Sequence, residues 1–365
     1  MASGRTAIGS SIFTSMLLRV PVFYDSFHCI ADKCTDSCCV GWEIDIDDKS
    51  VKHYTKIKGD FGKKLHENIE NGHFKLCEGD RCPFLKQNGL CEMICNLGED
   101  NLCDICREHP RFVEVYGDIM EKGIGLCCEE GVKLLLNANG TSESSIAFIE
   151  REINDDPDEI PNDAIKARNA IFKEREHLYK ILTNHNKSLN ERLIELLDYA
   201  VETCGFEYLE QNLKNISTNK EILNNILRSW IDVLGKGESY GPAWDKAYSL
   251  LKKSNLSHPI NIFSDCDGEK IIAYLLFRYY AKSLFDGNSL TKVEFALYFW
   301  IMLRKFGSIF ANATGNTPTA KIAAIKLFSK QTEYSEEIMR ILEEEFMENP
   351  LFSPKNFKRI LVERM

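Results

Sequence analysis

The chain has 365 residues, 44% hydrophobic and 27% charged, which is enough apolar material for one large core or two moderate ones and too much for a disordered chain. Its net charge of -10 and isoelectric point near 5.5 argue against nucleic-acid binding, which needs clustered Lys and Arg to release counterions. The longest apolar run, Phe295 to Leu303, is well short of the ~20 residues that span a bilayer, and Arg304 and Lys305 follow it, so a buried core helix is expected instead of a membrane anchor.

In chain order, residues 1–24 contain Arg5, Arg19 and several serines but no acid, and are expected to be a disordered leader or upstream extension, with Met16 as a second plausible start. Residues 25–140 read as an irregular cysteine-rich module with a few short helices. Asp47 or Asp48 is expected to cap a helix running toward Lys58, and Asp60 a second one through Asn71, stopped by Gly72. Asn88-Gly89 marks a turn, and a further helix is expected from near Cys128 through Leu136 to Asn139-Gly140. Residues 141–162 form the expected linker, because Asn154 to Asn162 holds four acids and two prolines. Residues 163–365 read as a helical domain. Ile165, Ile171, Leu178 and Leu182 recur at helical spacing, as do Leu193, Leu196, Leu197 and Ala200, then Ile222, Ile226, Leu227, Trp230 and Leu234. Ile271–Phe285 and Val293–Phe310 are its expected centre, with Thr317–Met347 closing over them. No alternation is long enough to predict a sheet, so the fold class is mainly α.

Fourteen cysteines are present, and twelve lie between Cys29 and Cys128. A secreted disulfide scaffold would distribute them through the whole chain, so a reducing, intracellular setting is expected, with thiolates collected for a metal. The same stretch is acidic: Asp25 to Glu130 contains 22 acidic and 13 basic side chains, nine of the ten net negative charges. Cys103-x2-Cys106 can bring two sulfurs to one metal atom, and Cys29-x4-Cys34-x3-Cys38-Cys39, Cys82 with Cys91, and Cys127-Cys128 add three further groups. A zinc ribbon would show two clean pairs, and this chain has one. The scattered spacing therefore favours an iron-sulfur cluster, with zinc as the alternative. Each adjacent doublet is expected to contribute one ligand and leave the other to packing. Cys204 and Cys266 are read as core or incidental, and His109 as a hydrogen-bonded neighbour. There is no P-loop, and Gly123-Ile124-Gly125 lacks the third glycine of a dinucleotide fingerprint.

The run Phe27-His28-Cys29-Ile30, Cys34, Ser37-Cys38-Cys39-Val40-Gly41-Trp42, then Arg81-Cys82-Pro83-Phe84-Leu85, Gly89-Leu90-Cys91, Leu97-Gly98-Glu99, Leu102-Cys103, Cys106 and Pro110-Arg111 resembles the flagellin lysine-N-methylase family, part of a wider group of zinc- or iron-chelating cysteine-rich domains. The likeness continues more weakly through Tyr274–Tyr280 and Phe285-Asp286-Gly287. It implies a cytoplasmic enzyme that transfers methyl groups from S-adenosylmethionine to lysine side chains of a protein substrate, flagellin, with a 4Fe-4S cluster taking part. The cysteines carried over from it are Cys29, Cys34, Cys38, Cys39, Cys82, Cys91, Cys103, Cys106 and Cys128, whereas Cys95 and Cys127 stand where the family has other residues. Acids at Glu43, Asp45, Asp47 and Asp48 are available to steer a cationic substrate, or simply to cap helices and meet solvent. A non-catalytic metal-chelating or redox protein is the competing expectation.

Overall fold

The structure is a computed structural model that describes residues 15–41, 43–138, 147–204, 219–254, 256, 261–314 and 317–363. The fold is mainly α, and it also holds a sheet that the sequence did not reveal. Strands β1 (Ser15–Pro21), β4 (Arg111–Tyr116), β5 (Ile119–Ile124) and β6 (Phe148–Asn154) pair in the order β4-β5-β1-β6, while β2 (Ile69–Glu70) and β3 (His73–Phe74) form a small hairpin. β1 lies parallel to β5, with Leu17 opposite Ile119, and antiparallel to β6, with Leu18 opposite Arg151. The expected leader is therefore partly an inner strand, and the expected linker contributes an edge strand. Residues 1–14 and 139–146, including the Asn139-Gly140 stop, lie outside the described residues.

The cysteine-rich region contains α1 (Asp48–Tyr54), α2 (Gly59–Glu67), α3 (Glu92–Leu97), α4 (Asp104–Glu108) and α5 (Glu129–Asn137). The expected caps form in part: Asp47 accepts from the Ser50 amide at the start of α1, but α2 is shorter than expected because Asn71 and Gly72, both at positive φ, turn the β2–β3 hairpin. Ile44, Ile46, Tyr54, Leu65, Phe74, Phe84, Met93 and Leu102 build a small separate core here, and Cys82 and Cys103 are buried in it. Cys39, Cys91 and Cys106 pack against this second core from its edge.

The remaining helices are α6 (Asn162–Leu182), α7 (Leu189–Thr203), α8 (Lys220–Val233), α9 (Pro242–Lys253), α10 (Asp265–Tyr279), α11 (Ser283–Asp286), α12 (Ser289–Thr314), α13 (Thr317–Glu333), α14 (Glu336–Glu348) and α15 (Pro354–Val362). Ser188 with Glu191 and Ser264 with Asp267 make reciprocal caps at α7 and α10, satisfying amides that a helix start leaves unpaired. α12 is buried on all sides from Phe295 to Leu303, which explains why its apolar run shows no periodicity. Among the described residues no helix is long and apolar enough to cross a membrane. One core runs from Phe23, Phe27, Ile124, Leu126, Val132 and Leu135 through these helices to Leu361, so α5 and the strands around it belong to the helical body.

Inside α12, Lys305 is buried and donates to the Leu256 carbonyl at 2.8 Å, and burial together with Arg304 lowers its ammonium pKa to about 7. The unfolded chain therefore binds more protons than the folded one between pH 7 and the ordinary lysine range, and stability rises with pH across that window. Lys305→Met is expected to stabilise the protein by about 1–3 kcal/mol near pH 7, with the gain disappearing toward pH ~10.5, as followed by urea denaturation at both pH values. A gain that is the same at both would contradict the assigned cost of charging.

Candidate metal centre

The nine carried-over cysteines sort into two adjoining sets. The first comprises Cys29, Cys34, Cys38 and Cys128, where Cys38 lies within electrostatic reach of Cys29 and Cys128, and Cys128 of Cys34 and Cys29. The second comprises Cys39, Cys82, Cys91, Cys103 and Cys106: Cys106 feels Cys103, Cys39 and Cys82, and Cys91 feels Cys39. Cys77 lies near Cys82, and Cys95 near Cys91. The two sets meet where the Cys38 and Cys39 side chains share a hydrogen bond.

Local backbone positions these sulfurs. Cys39 and Cys82 are tied by the Cys82 amide donating to the Cys39 carbonyl at 2.9 Å, and Leu85 bridges to Cys91. Cys103 caps α4 and Cys106 lies one turn on, so their side chains meet. Asp47 holds this helix in place, since its second oxygen accepts from the Asp104 amide at 3.0 Å. Asp47 is thus a capping and positioning acid, and Asp45 lies 2.5 Å from His73 Nδ1. Backbone groups also hydrogen-bond sulfurs: Phe84 to Cys82, Met93 and Ile94 to Cys91, Glu130 and Gly131 to Cys128, and the Ala31 amide to Cys29 at 3.4 Å. Such bonds favour the thiolate, the form that ligates a metal.

Each hydrogen-bonded thiol pair divides its proton unequally. The bond from Cys38 lowers the Cys39 pKa to about 7, while the shared bond and burial raise that of Cys38. Likewise the bond from Cys106 lowers Cys103 and the shared bond raises Cys106. Burial pushes Cys82 up to about 12.

Contacts from the far end of the chain brace the first set. Glu129 accepts from the Thr35 amide at 3.0 Å and from its hydroxyl at 2.5 Å, and burial notwithstanding, these bonds and Lys133 lower its carboxyl to about 2. From α13, Lys326 reaches the Thr35 hydroxyl at 3.2 Å and Lys330 reaches Asp36 at 2.6 Å. Two buried lysines thus sit beside a loop that carries Cys34 and Cys38. Sequence reasoning missed them because 290 residues separate the partners, and only their one-turn spacing on a helix hinted at a shared face.

Cys127 and His109 fall outside both sets. The Cys127 thiol is buried, hydrogen-bonded to Tyr334 and 3.9 Å from His109 Nε2, and burial raises its pKa to about 12. Burial, with Lys330 and Arg278 nearby, lowers His109 to about 4, so it is a neutral packing neighbour. Cys204 donates to the Val201 carbonyl at the end of α7, and Cys266 is exposed on α10.

Among the described residues no three His, Cys, Asp or Glu side chains converge closely enough to hold a single metal ion. A tetrahedral zinc with Zn–S bonds of ~2.3 Å needs four sulfurs round one point, and a cubane needs four round its corners. The donor chemistry, thiols with backbone hydrogen bonds to sulfur, is of the kind that thiolate-bound zinc and iron-sulfur groups share.

The chain is a mainly helical protein whose first third carries cysteines within electrostatic reach of one another. The chain is 29% identical over 127 residues to the flagellar biosynthetic protein FliU of Salmonella muenchen, covering 32% of this chain and 75% of that protein. It is 30% identical over 139 residues to the lysine-N-methylases of Salmonella typhimurium and Salmonella choleraesuis, covering 34% of this chain but 35% of those proteins, so the match spans about a third of their length. No protein-family profile matches the chain, and no solved structure does.

Proposed function

We propose that this chain is a cytoplasmic protein-lysine N-methyltransferase that uses S-adenosylmethionine, acts on a flagellin-type substrate and carries iron-sulfur clusters on its two thiol sets. The observation that carries the reading is the gathering of nine cysteines into two sets of at least four in a chain similar to proteins named lysine-N-methylase. The substrate class rests on the names of the relatives, flagellar and lysine-methylating.

A lysine ammonium, with a reference pKa near ~10.4, must first give up its proton. The neutral amine then displaces the methyl group from the sulfonium, leaving a thioether and a methylated ammonium, with one C–S bond broken and one C–N bond formed. A cluster on the thiols would supply a Lewis-acidic or redox-active inorganic core. The protein's own residues hold that region: Asp47 fixes α4, Glu129 fixes the Thr35 loop, and Lys326 and Lys330 offset negative charge there.

The competing reading, a metal-chelating or redox protein without catalysis, is favoured by one observation: the acids nearest the thiols, Asp36, Asp47 and Glu129, are all engaged in capping or ion pairs. The test is anaerobic purification followed by incubation with methyl-labelled S-adenosylmethionine and flagellin. Label is expected in flagellin as N-methyl-lysine. An iron-loaded protein that transfers no label and binds no S-adenosylmethionine by calorimetry would leave the non-catalytic reading standing.

A further inference from the structure

Residues 44–106 pack around a hydrophobic core of their own. Among the described residues, its apolar side chains and those of the helical body form separate clusters with no member in common. Ile44, Tyr54, Leu65, Phe74, Phe84 and Met93 are buried in the smaller one. Its polar ties are internal too: Tyr54 donates to the Asn101 carbonyl at 3.0 Å, Asp47 accepts from the Asp104 amide at 3.0 Å, and Lys64 pairs with Glu92. Helices α1, α2, α3 and α4 have 7, 9, 6 and 5 residues, below the ~12–15 at which a helix holds by itself in water, so each persists only while the shared core does. The helical body rests on longer elements, such as α6 with 21 residues and α12 with 26. A unit of ~60 residues buries a smaller fraction of its surface than a larger body does, and local opening ranges in cost from near zero to that of global unfolding. The smaller core is therefore the one that opens first.

The seam between the two cores is the loop at residues 29–41. Toward the small core it is held by the Cys82 amide, which donates to the Cys39 carbonyl at 2.9 Å, and by its own Gly41 amide, which donates to the Asp80 carbonyl at 3.0 Å. Toward the helical body it is held through other residues, by Glu129 on the Thr35 amide at 3.0 Å and Lys330 on Asp36 at 2.6 Å. The bonds on the first side can break while those on the second stay made, so the loop remains with the body when the small core parts from it.

Two thiols of the second set are closed off by this arrangement. Cys82 and Cys103 are 6% and 1% exposed and belong to the small core itself, whereas Cys77 and Cys95 on the same stretch are exposed. We infer that residues 44–106 open as one unit while the helical body stays folded, and that this opening is the route by which a thiophilic metal ion reaches Cys82 and Cys103. The route rests on the reading of these thiols as metal ligands; the opening does not.

The test is alkylation of the full-length chain, freed of metal by a chelator under anaerobic conditions, with iodoacetamide and peptide mass spectrometry to read each cysteine. Cys266, exposed on α10, gives the rate of an open thiol, and Cys127, 7% exposed and hydrogen-bonded to Tyr334, gives the rate that requires the helical body to unfold. Cys82 and Cys103 are expected to label at one common rate, at least about tenfold slower than Cys266 and at least about tenfold faster than Cys127. Different rates for the two, or a common rate equal to that of Cys127 or of Cys266, overturn the inference. Leu65→Ala deletes a fully buried side chain of the small core and is expected to speed labelling of both at least about tenfold with Cys127 unchanged. Cobalt(II) added before the label is expected to protect both thiols, and to do so at least about tenfold sooner in Leu65→Ala than in the parent. Should Leu65→Ala lose the small core, Ile46→Val, a milder deletion there, takes its place with an expected change of about threefold. Protection that arrives equally fast in parent and variant overturns the route. Labelling rates as expected with no protection by cobalt would keep the opening and remove these thiols as metal ligands, so the two readings fail separately.

Discussion

Cys106→Ser is expected to strip iron from the second thiol set, and Cys38→Ser from the first, each releasing roughly half of the total iron if each set holds one four-thiolate cluster. Cys106 is the most connected sulfur of its set, hydrogen-bonded to Cys103 and within reach of Cys39 and Cys82, and Cys38 holds the same place between Cys29, Cys39 and Cys128. A serine oxygen is a harder and poorer ligand for iron than thiolate, so the substitution removes a bond without changing shape. The visible charge-transfer absorbance of anaerobically purified protein should fall in step with iron, while Cys266→Ser, exposed on α10 and remote from both sets, leaves it unchanged. Complete iron loss from either single variant would mean one shared centre, and no loss from either would mean that the thiols do not hold iron.

Glu121→Ala is expected to cost about 3–5 kcal/mol of stability, comparable to the whole margin of a modest protein. Glu121 lies on β5 and is bound by Arg175 from α6, with both side chains 1% exposed. Arg175 Nη1 also donates to the Phe277 carbonyl at 3.1 Å, and its guanidinium lies over the Phe172 and Phe277 rings at 4.8 and 5.5 Å. Arg19 of β1 adds a contact to Glu121 at 3.2 Å while keeping Glu150 as a second partner. This pair is where the sheet is fastened to the helical body, and removing the carboxylate leaves a guanidinium buried without a counter-charge. Combining Glu121→Leu with Arg175→Met should recover much of the loss, because an apolar pair of similar volume avoids desolvating two ions. Urea midpoints of the two variants and the parent protein decide it: a double variant no better than Glu121→Ala would show that the hydrogen bonds to Phe277 and Arg19 matter more than the stranded charge.

Much of the helical body was legible because amphipathic helices write their burial into local spacing. Ile226, Leu227, Trp230 and Leu234 point one way on and beyond α8 and are fully or nearly fully buried as their periodicity required, whereas Ile222, expected on the same face, is 39% exposed in the helix's first turn. Caps were legible for the same reason, as at Asp47, whose partner is three residues away. The sheet was not. Leu17 breaks the alternation of Met16, Leu18 and Val20, and β1 finds its partners β5 and β6 more than a hundred residues on, where no local pattern announces them. Residues 15–21 and 148–154, within the expected leader and linker, pair with each other, so neither strand is announced by its own segment.

The cysteine ligand candidates were likewise visible by type and clustering, but not their division. Cys38 and Cys39 are neighbours in sequence and join different sets, and Cys127 turns to Tyr334 while Cys128 faces Cys34 and Cys29. By itself the amino-acid sequence determined the mainly helical class, the local caps and the concentration of thiols in the first third, because composition and short-range spacing act within a few residues. Only the tertiary structure decided how the thiols partition and that Lys326 and Lys330 brace their loop. Those outcomes depend on groups brought together from opposite ends of the chain by burial of a common core, and burial is a property of the packed whole.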